Sequence, residues 1–100
     1  MVIEELTLTM PPSRVEAFLA RDAEVWTAFL TEQSGFAGKE IWLPVDRPGT
    51  VVAIIRWDTM DQWRAITAEQ VAAVDAEMGD LVPDSLECRD YEVANTMAAG

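Results

Sequence analysis

Thr50-Val51-Val52-Ala53-Ile54-Ile55-Arg56-Trp57-Asp58-Thr59-Met60-Asp61-Gln62-Trp63 is the stretch on which the fold turns. Val51 to Arg56 is a short apolar run rich in β-branched residues, a strand signal, and it ends on Trp57. Thr59 with Gln62 three positions later marks a helix start, and Trp63 falls within that helix. An aromatic residue at a strand end beside a helix start is a common pocket wall, because indole offers a large apolar face and one N–H donor.

Working outward, Asp46-Arg47-Pro48-Gly49 is a turn, and Lys39 to Leu43 is the strand before it. Ile41 and Leu43 share one face of that strand, with Glu40 and Trp42 on the other, so the two strands predict a hairpin. Upstream, Val15, Phe18, Leu19, Ala23, Trp26, Phe29 and Leu30 recur at helical spacing. Ser13 with Glu16 predicts a capping box at the start of this helix, and Gly35 closes it after about 20 residues. Before Pro11-Pro12, Val2 to Thr9 alternates Leu6 and Leu8 with Glu5, Thr7 and Thr9, the period of a half-buried strand. Downstream, Thr67 with Gln70 repeats the capping signal, so the second helical region breaks near Thr67 and ends by Gly79 and Pro83. Leu86 to Val93 makes a last strand, residues 1–95 form one domain, and 96–100 are a loose tail. The order is that of an α+β, ferredoxin-like β-α-β-β-α-β domain with an antiparallel sheet.

Composition narrows the function classes. A net charge of −11 on 100 residues repels nucleic-acid phosphates and anionic lipid, so neither nucleic acid nor membrane is an expected partner. No apolar run nears the roughly 18 residues of a membrane span, and Glu4-Glu5 has the wrong sign for a secretory leader. Cys88 is the one cysteine, which excludes an intrachain disulfide, fits a cytoplasmic setting and reads as a small core residue. The chain has no histidine, which removes Ser-His and Cys-His nucleophile pairs, H-E-x-x-H zinc sites and His-ligated haem. The acidic residues show no metal-ligand spacing, so no metal is expected.

Helices cover one face of such a sheet. The strand register places Glu5, Thr7, Glu40, Trp42, Ile54, Arg56, Glu87, Arg89 and Tyr91 on the other. A solvated face needs no Trp, Ile and Tyr, and a buried one does not tolerate unpaired charges. A homodimer pairing two such faces satisfies both conditions, with Trp42, Arg56, Arg89, Tyr91 and Glu40 at its interface; the alternative is a monomer with a wet polar face.

The strand order, the Gly35-Phe36 entry to the second strand and Arg56-Trp57-Asp58-Thr59-Met60-Asp61-Gln62-Trp63 resemble the antibiotic-biosynthesis-monooxygenase-like domains, which are dimeric α/β barrels. Glu4-Glu5-Leu6, Glu24-Val25-Trp26 and Gly38-Lys39-Glu40-Ile41-Trp42 are similar to a small, functionally unassigned branch of that superfamily. The superfamily includes cofactor-independent oxygenases of polycyclic aromatic phenols, and haem degraders that use an Asn in the first strand, a Trp ending the third and a His in the second helix. Trp57 matches that Trp, while Glu4 stands at the Asn position and Thr67 at or near the His. The resemblance therefore implies no haem and no other cofactor, unless Cys88 or Tyr91 replaces the missing ligand.

Two functions of different classes follow. In the first, a hydrophobic pocket between sheet and helices binds a flat aromatic substrate against Trp57 and acts as a cofactor-independent monooxygenase, with Glu4 as proton acceptor. Trp26, Trp57, Trp63 and Thr67 then contact the ligand. In the second, the same pocket belongs to a non-catalytic small-molecule-binding or assembly domain. Each residue also has a plainer role: Trp26, Trp57 and Trp63 as core, Arg56 as an ion-pair partner, and Glu4 as a solvated strand end.

Overall fold

The computed structural model describes residues 1–99. Four strands, β1 (Val2–Thr9), β2 (Phe36–Trp42), β3 (Thr50–Trp57) and β4 (Ser85–Glu92), form one antiparallel sheet in the order β2-β3-β1-β4. With helices inserted after β1 and after β3, this is the expected ferredoxin-like α+β topology.

The helical region after β1 is not one regular helix. A 3₁₀ turn (Pro12–Arg14) leads into α1 (Val15–Asp22), then a π turn (Ala23–Thr27), then α2 (Ala28–Thr31). No side chain caps its start, so the Ser13–Glu16 box does not form. Pro11 and Pro12 are the reason: Pro11 is the residue before the 3₁₀ turn and Pro12 its first, a rigid entry that places Ser13 inside the turn rather than ahead of it. After β3 the two capping signals act as expected. Thr59 accepts from the Gln62 backbone N–H at the head of α3 (Met60–Arg64), and Thr67 with Gln70 makes a full capping box on α4 (Ala68–Glu77).

β2 starts at Phe36, three residues before the expected Lys39, and carries a bulge between Phe36 and Gly38. Phe36 pairs with Trp57, Gly38 with Arg56 and Lys39 with Ile55. The extra residue reverses the parity of all that follows, so Phe36 and Lys39 both face the helices although they are three apart. Gly49, at φ +89°, makes the corresponding turn before β3, where a Cβ would strike the Met10 carbonyl oxygen.

The core is split into two clusters on the helix side of the sheet. One holds Leu8, Met10, Phe18, Val51 and Met78; the other holds Val2, Leu30, Ile55 and Trp57. β4 is exposed along its whole length. Cys88 is accordingly exposed, which corrects its expected place in the core: it sits on the sheet-edge strand that lacks a covering helix. From Val93 to Ala99 the chain has no helix or strand; Gly100, the end of the tail expected over 96–100, lies outside the described residues.

Candidate functional site

Between the two core clusters the helices stand off the sheet and leave a cavity of about 560 Å³. Its floor is the helix-facing row of the sheet, with Leu6, Leu8, Ala53, Ile55 and Trp57, and its walls include Phe18, Trp26, Leu30, Trp63 and Ile66. The wall is chiefly apolar, the usual lining of a small-molecule site. Trp57 is 0% exposed to solvent and packs edge-on against Phe36 with ring centroids 6.0 Å apart. Core plug and pocket lining, the two roles open to Trp57 from sequence, are thus met by one side chain.

The Trp57 indole N–H donates to Glu4 Oε1 at 3.1 Å. Burial pushes the Glu4 carboxyl above its ordinary range, against the opposing pull of that hydrogen bond and of the Lys39 charge. A half-buried carboxylate with raised proton affinity, held by a rigid partner at a cavity wall, is suited to accept a proton from a bound ligand.

Lys39 was not singled out by sequence, and it is the second polar element of the cavity. Its ammonium donates to Asp22 Oδ2 at 2.6 Å and to Thr27 Oγ1 at 3.0 Å. The pair is buried, with 7% and 11% of the Lys39 and Asp22 side chains exposed. The π turn explains how both acceptors reach one nitrogen. Five residues of regular α-helix would leave Asp22 and Thr27 about 140° apart around the axis, whereas i→i+5 closure brings them to one side. The available signal for Lys39 was parity: it alternates with Ile41 on the face that holds the apolar residue.

Of the expected catalytic and ligand-contact residues, the cavity wall unites Glu4, Trp26, Trp57 and Trp63. Thr67 is not part of that wall; its hydroxyl accepts from the Gln70 backbone N–H at 3.1 Å and is used in capping α4. The five residues expected at a dimer interface lie on the opposite face. There Arg56 pairs with Glu40 at 2.7 Å, and Trp42 donates to the same carboxylate at 3.0 Å. Tyr91 donates to Glu5 at 3.5 Å, and Arg89 stands opposite Glu5 in the β1–β4 register.

The sequence pattern of the family Antibiotic biosynthesis monooxygenase matches residues 1–76. The chain belongs to that family. Solved structures of similar fold include SnoaB of Streptomyces nogalater, a cofactor-independent oxygenase, with 22% identity, TM-score 0.71 and coverage of 98% of this chain and 97% of that one. The haem degrader MhuD of Mycobacterium tuberculosis, with two haems bound, shares 18% identity at TM-score 0.77, covering 98% and 100%. The ActVA-Orf6 monooxygenase of Streptomyces coelicolor, in complex with nanaomycin D, shares 14% at TM-score 0.71, covering 99% and 92%. At these identities the likeness to solved structures is one of fold. No curated protein matches the chain by sequence.

One fold relative holds haem, which raises the question of whether the cavity of this antibiotic biosynthesis monooxygenase family member offers a haem ligand set. Its wall contains no histidine, cysteine or tyrosine among the described residues. Cys88 and Tyr91 both lie on β4 outside the wall, and Met78, the one wall residue of a haem-ligating type, is 2% exposed and packed in the core. The donor set does not suit axial ligation of a haem iron. Among the described residues no group of three His, Cys, Asp or Glu side chains is placed to hold a metal ion, and no helix is long and apolar enough to cross a membrane.

Proposed function

We infer that this chain is a homodimeric, cofactor-independent monooxygenase acting on a flat, electron-rich aromatic substrate. The observation that carries it is the Glu4–Trp57 pair at the wall of a 560 Å³ apolar cavity in a member of this family. In this scheme a phenolic substrate lies on the floor formed by Ala53 and Ile55. Glu4 takes a proton from it, and the electron-rich anion reduces O₂. In a substrate whose keto tautomer carries a ring CH₂, conversion of that CH₂ to C=O gives up four electrons, which balances entry of one oxygen atom into the substrate and departure of the other as water, to which Glu4 returns its proton. The chain contributes exclusion of solvent, alignment and a base; the substrate supplies the electrons.

Dimerisation through the open sheet face accompanies this reading. Trp42 and Tyr91 are 48% and 41% exposed in one chain, on the sheet face that also carries Ile54, so a second copy would cover them. A cytoplasmic setting fits the single, exposed cysteine.

Oxygen uptake with a panel of hydroxylated anthracenes and anthrones tests the function. Glu4→Gln keeps the shape and the oxygen that accepts from Trp57, yet removes the base; turnover is expected to fall at least tenfold with ligand affinity little changed. Undiminished turnover in Glu4→Gln would overturn the assignment. Ligand binding without oxygen uptake in the wild-type protein would favour a non-catalytic binding domain.

A further inference from the structure

Glu4 sits at one side of the cavity floor, and the Lys39–Asp22–Thr27 cluster at the other. In the sheet, Glu4 and Lys39 are register partners of the same residue, Ile55, from opposite sides. Two strand spacings separate them, about 9.5 Å at the backbone, with an apolar residue between. Lys39 is the more deeply buried of the two cations on the cavity wall; the other, Arg64, is exposed at the end of α3.

An ammonium carries three N–H donors. Among the described residues Lys39 has two acceptors, Asp22 Oδ2 and Thr27 Oγ1, which leaves one donor in a residue that lines the cavity. A buried ion pair adds little net stability against apolar residues of the same volume, because both charges lose their hydration. It does provide a dipole whose ammonium end, fixed in direction by two bonds, offers its remaining N–H to a ligand oxygen.

We propose that Lys39, held by Asp22 and Thr27, is the specificity-determining anchor of the cavity and binds an acidic oxygen, carboxylate or phenolate, on the edge of a planar ligand whose opposite edge reaches Glu4. The ligand class is thus narrowed to flat apolar ring systems with one anionic oxygen at one end and a hydroxyl donor at the other. This rests on the cavity being a ligand site, as inferred above, but not on any oxygenation taking place there.

The probe pair is 6-hydroxy-2-naphthoate and its methyl ester, which share ring and hydroxyl and differ in one negative charge. Affinities are read from quenching of tryptophan fluorescence at neutral pH. The wild-type protein is expected to bind the carboxylate at least tenfold more tightly than the ester. In the double variant Lys39→Gln/Asp22→Asn, which leaves no unpaired buried charge, that ratio should fall to within twofold. Lys39→Arg and Arg64→Gln should both retain the preference. A merely structural role for Lys39 would alter both affinities together and leave the ratio intact. Equal binding of acid and ester by the wild type, or a preference that survives in the double variant, overturns the Lys39 assignment alone and needs only one folded protein to be seen. Binding of neither probe overturns the cavity as a ligand site and this assignment with it.

Discussion

The two faces of the sheet carry nearly the same polar chemistry in opposite surroundings. On the helix side, the Trp57 indole donates to Glu4 at 3.1 Å and Lys39 pairs with Asp22 at 2.6 Å. On the open side, the Trp42 indole donates to Glu40 at 3.0 Å and Arg56 pairs with the same carboxylate at 2.7 Å. The proton affinities nevertheless move apart. Burial raises that of Glu4, whereas the Trp42 hydrogen bond, followed by Arg56, lowers that of the exposed Glu40. An indole N–H stabilises a carboxylate in both places; what differs is the hydration each carboxylate has lost. The face that excludes water has a candidate base, and the face that admits water has only a well-paired acid.

The largest contrast is expected between the two tryptophans. Trp57→Ala removes a fully buried indole and leaves Glu4 without its donor, so about 3–5 kcal/mol of stability should be lost. Trp42 is 48% exposed in a single chain, and Trp42→Ala should cost less than about 1 kcal/mol in urea melts of dilute protein. If a second copy covers this face, the Trp42→Ala loss grows with protein concentration, because association stabilises only the wild type. Equal losses for both variants at the lowest concentration would mean that the open face is not open in one chain.

The ion pairs rank next. Lys39→Met strands a buried Asp22 and should cost about 3–5 kcal/mol, with most of it recovered when Asp22→Leu is added. Arg56→Met disrupts a pair whose members are 33% and 52% exposed, and should have little effect on the stability of one chain. Arg56→Glu places like charges together and should shift the light-scattering mass of the proposed dimer to that of one chain. A double variant no more stable than Lys39→Met would show that the cost lies in packing rather than in the orphaned charge.

How far the sequence exposed these features depends on what each one costs locally. The strand order was legible because hydrophobic alternation in Val2–Thr9 and the apolar run into Trp57 are set by burial, which side-chain type reports directly. The caps at Thr59 and Thr67 were legible because the bond is local to three residues. Trp26 and Trp63 stand out in the sequence by helical spacing and Trp57 by its place at a strand end, whereas Glu4 is indicated only by the family resemblance; the structure puts all four on the cavity wall. Lys39 was missed because a lysine reads as solvent-facing until its partners are known, and those partners, Asp22 and Thr27, share one side of the helix only through a π turn with no residue signature in Ala23–Thr27. The failed cap at Ser13 and the exposed Cys88 have one cause between them: each depended on how a neighbouring segment is placed, the 3₁₀ turn in one case and the helices that stop short of β4 in the other.

The subtlest test of the two faces is the sign of a pH dependence. Glu4 holds its proton more firmly in the folded chain, so its contribution to stability is present at acid pH and is lost as pH rises through its raised folded pKa. The amide introduced by Glu4→Gln does not titrate, hence the melting temperature of the variant minus that of the wild type should increase from acid to neutral pH. Glu40 behaves in the opposite sense: its contribution is present above the ordinary carboxylate range and is lost as pH falls through its lowered value. Glu40→Gln should therefore match the wild type best at acid pH and fall behind it toward neutrality. Thermal melts of the three proteins at a series of pH values between about 3 and 8 give both differences, and differences that drift in the same direction would remove burial as the cause of the contrast. Since Glu4 can serve as a base only when ionised, the pH at which its stability contribution disappears is also the pH at which oxygen uptake should rise, which ties this pH dependence to the proposed chemistry.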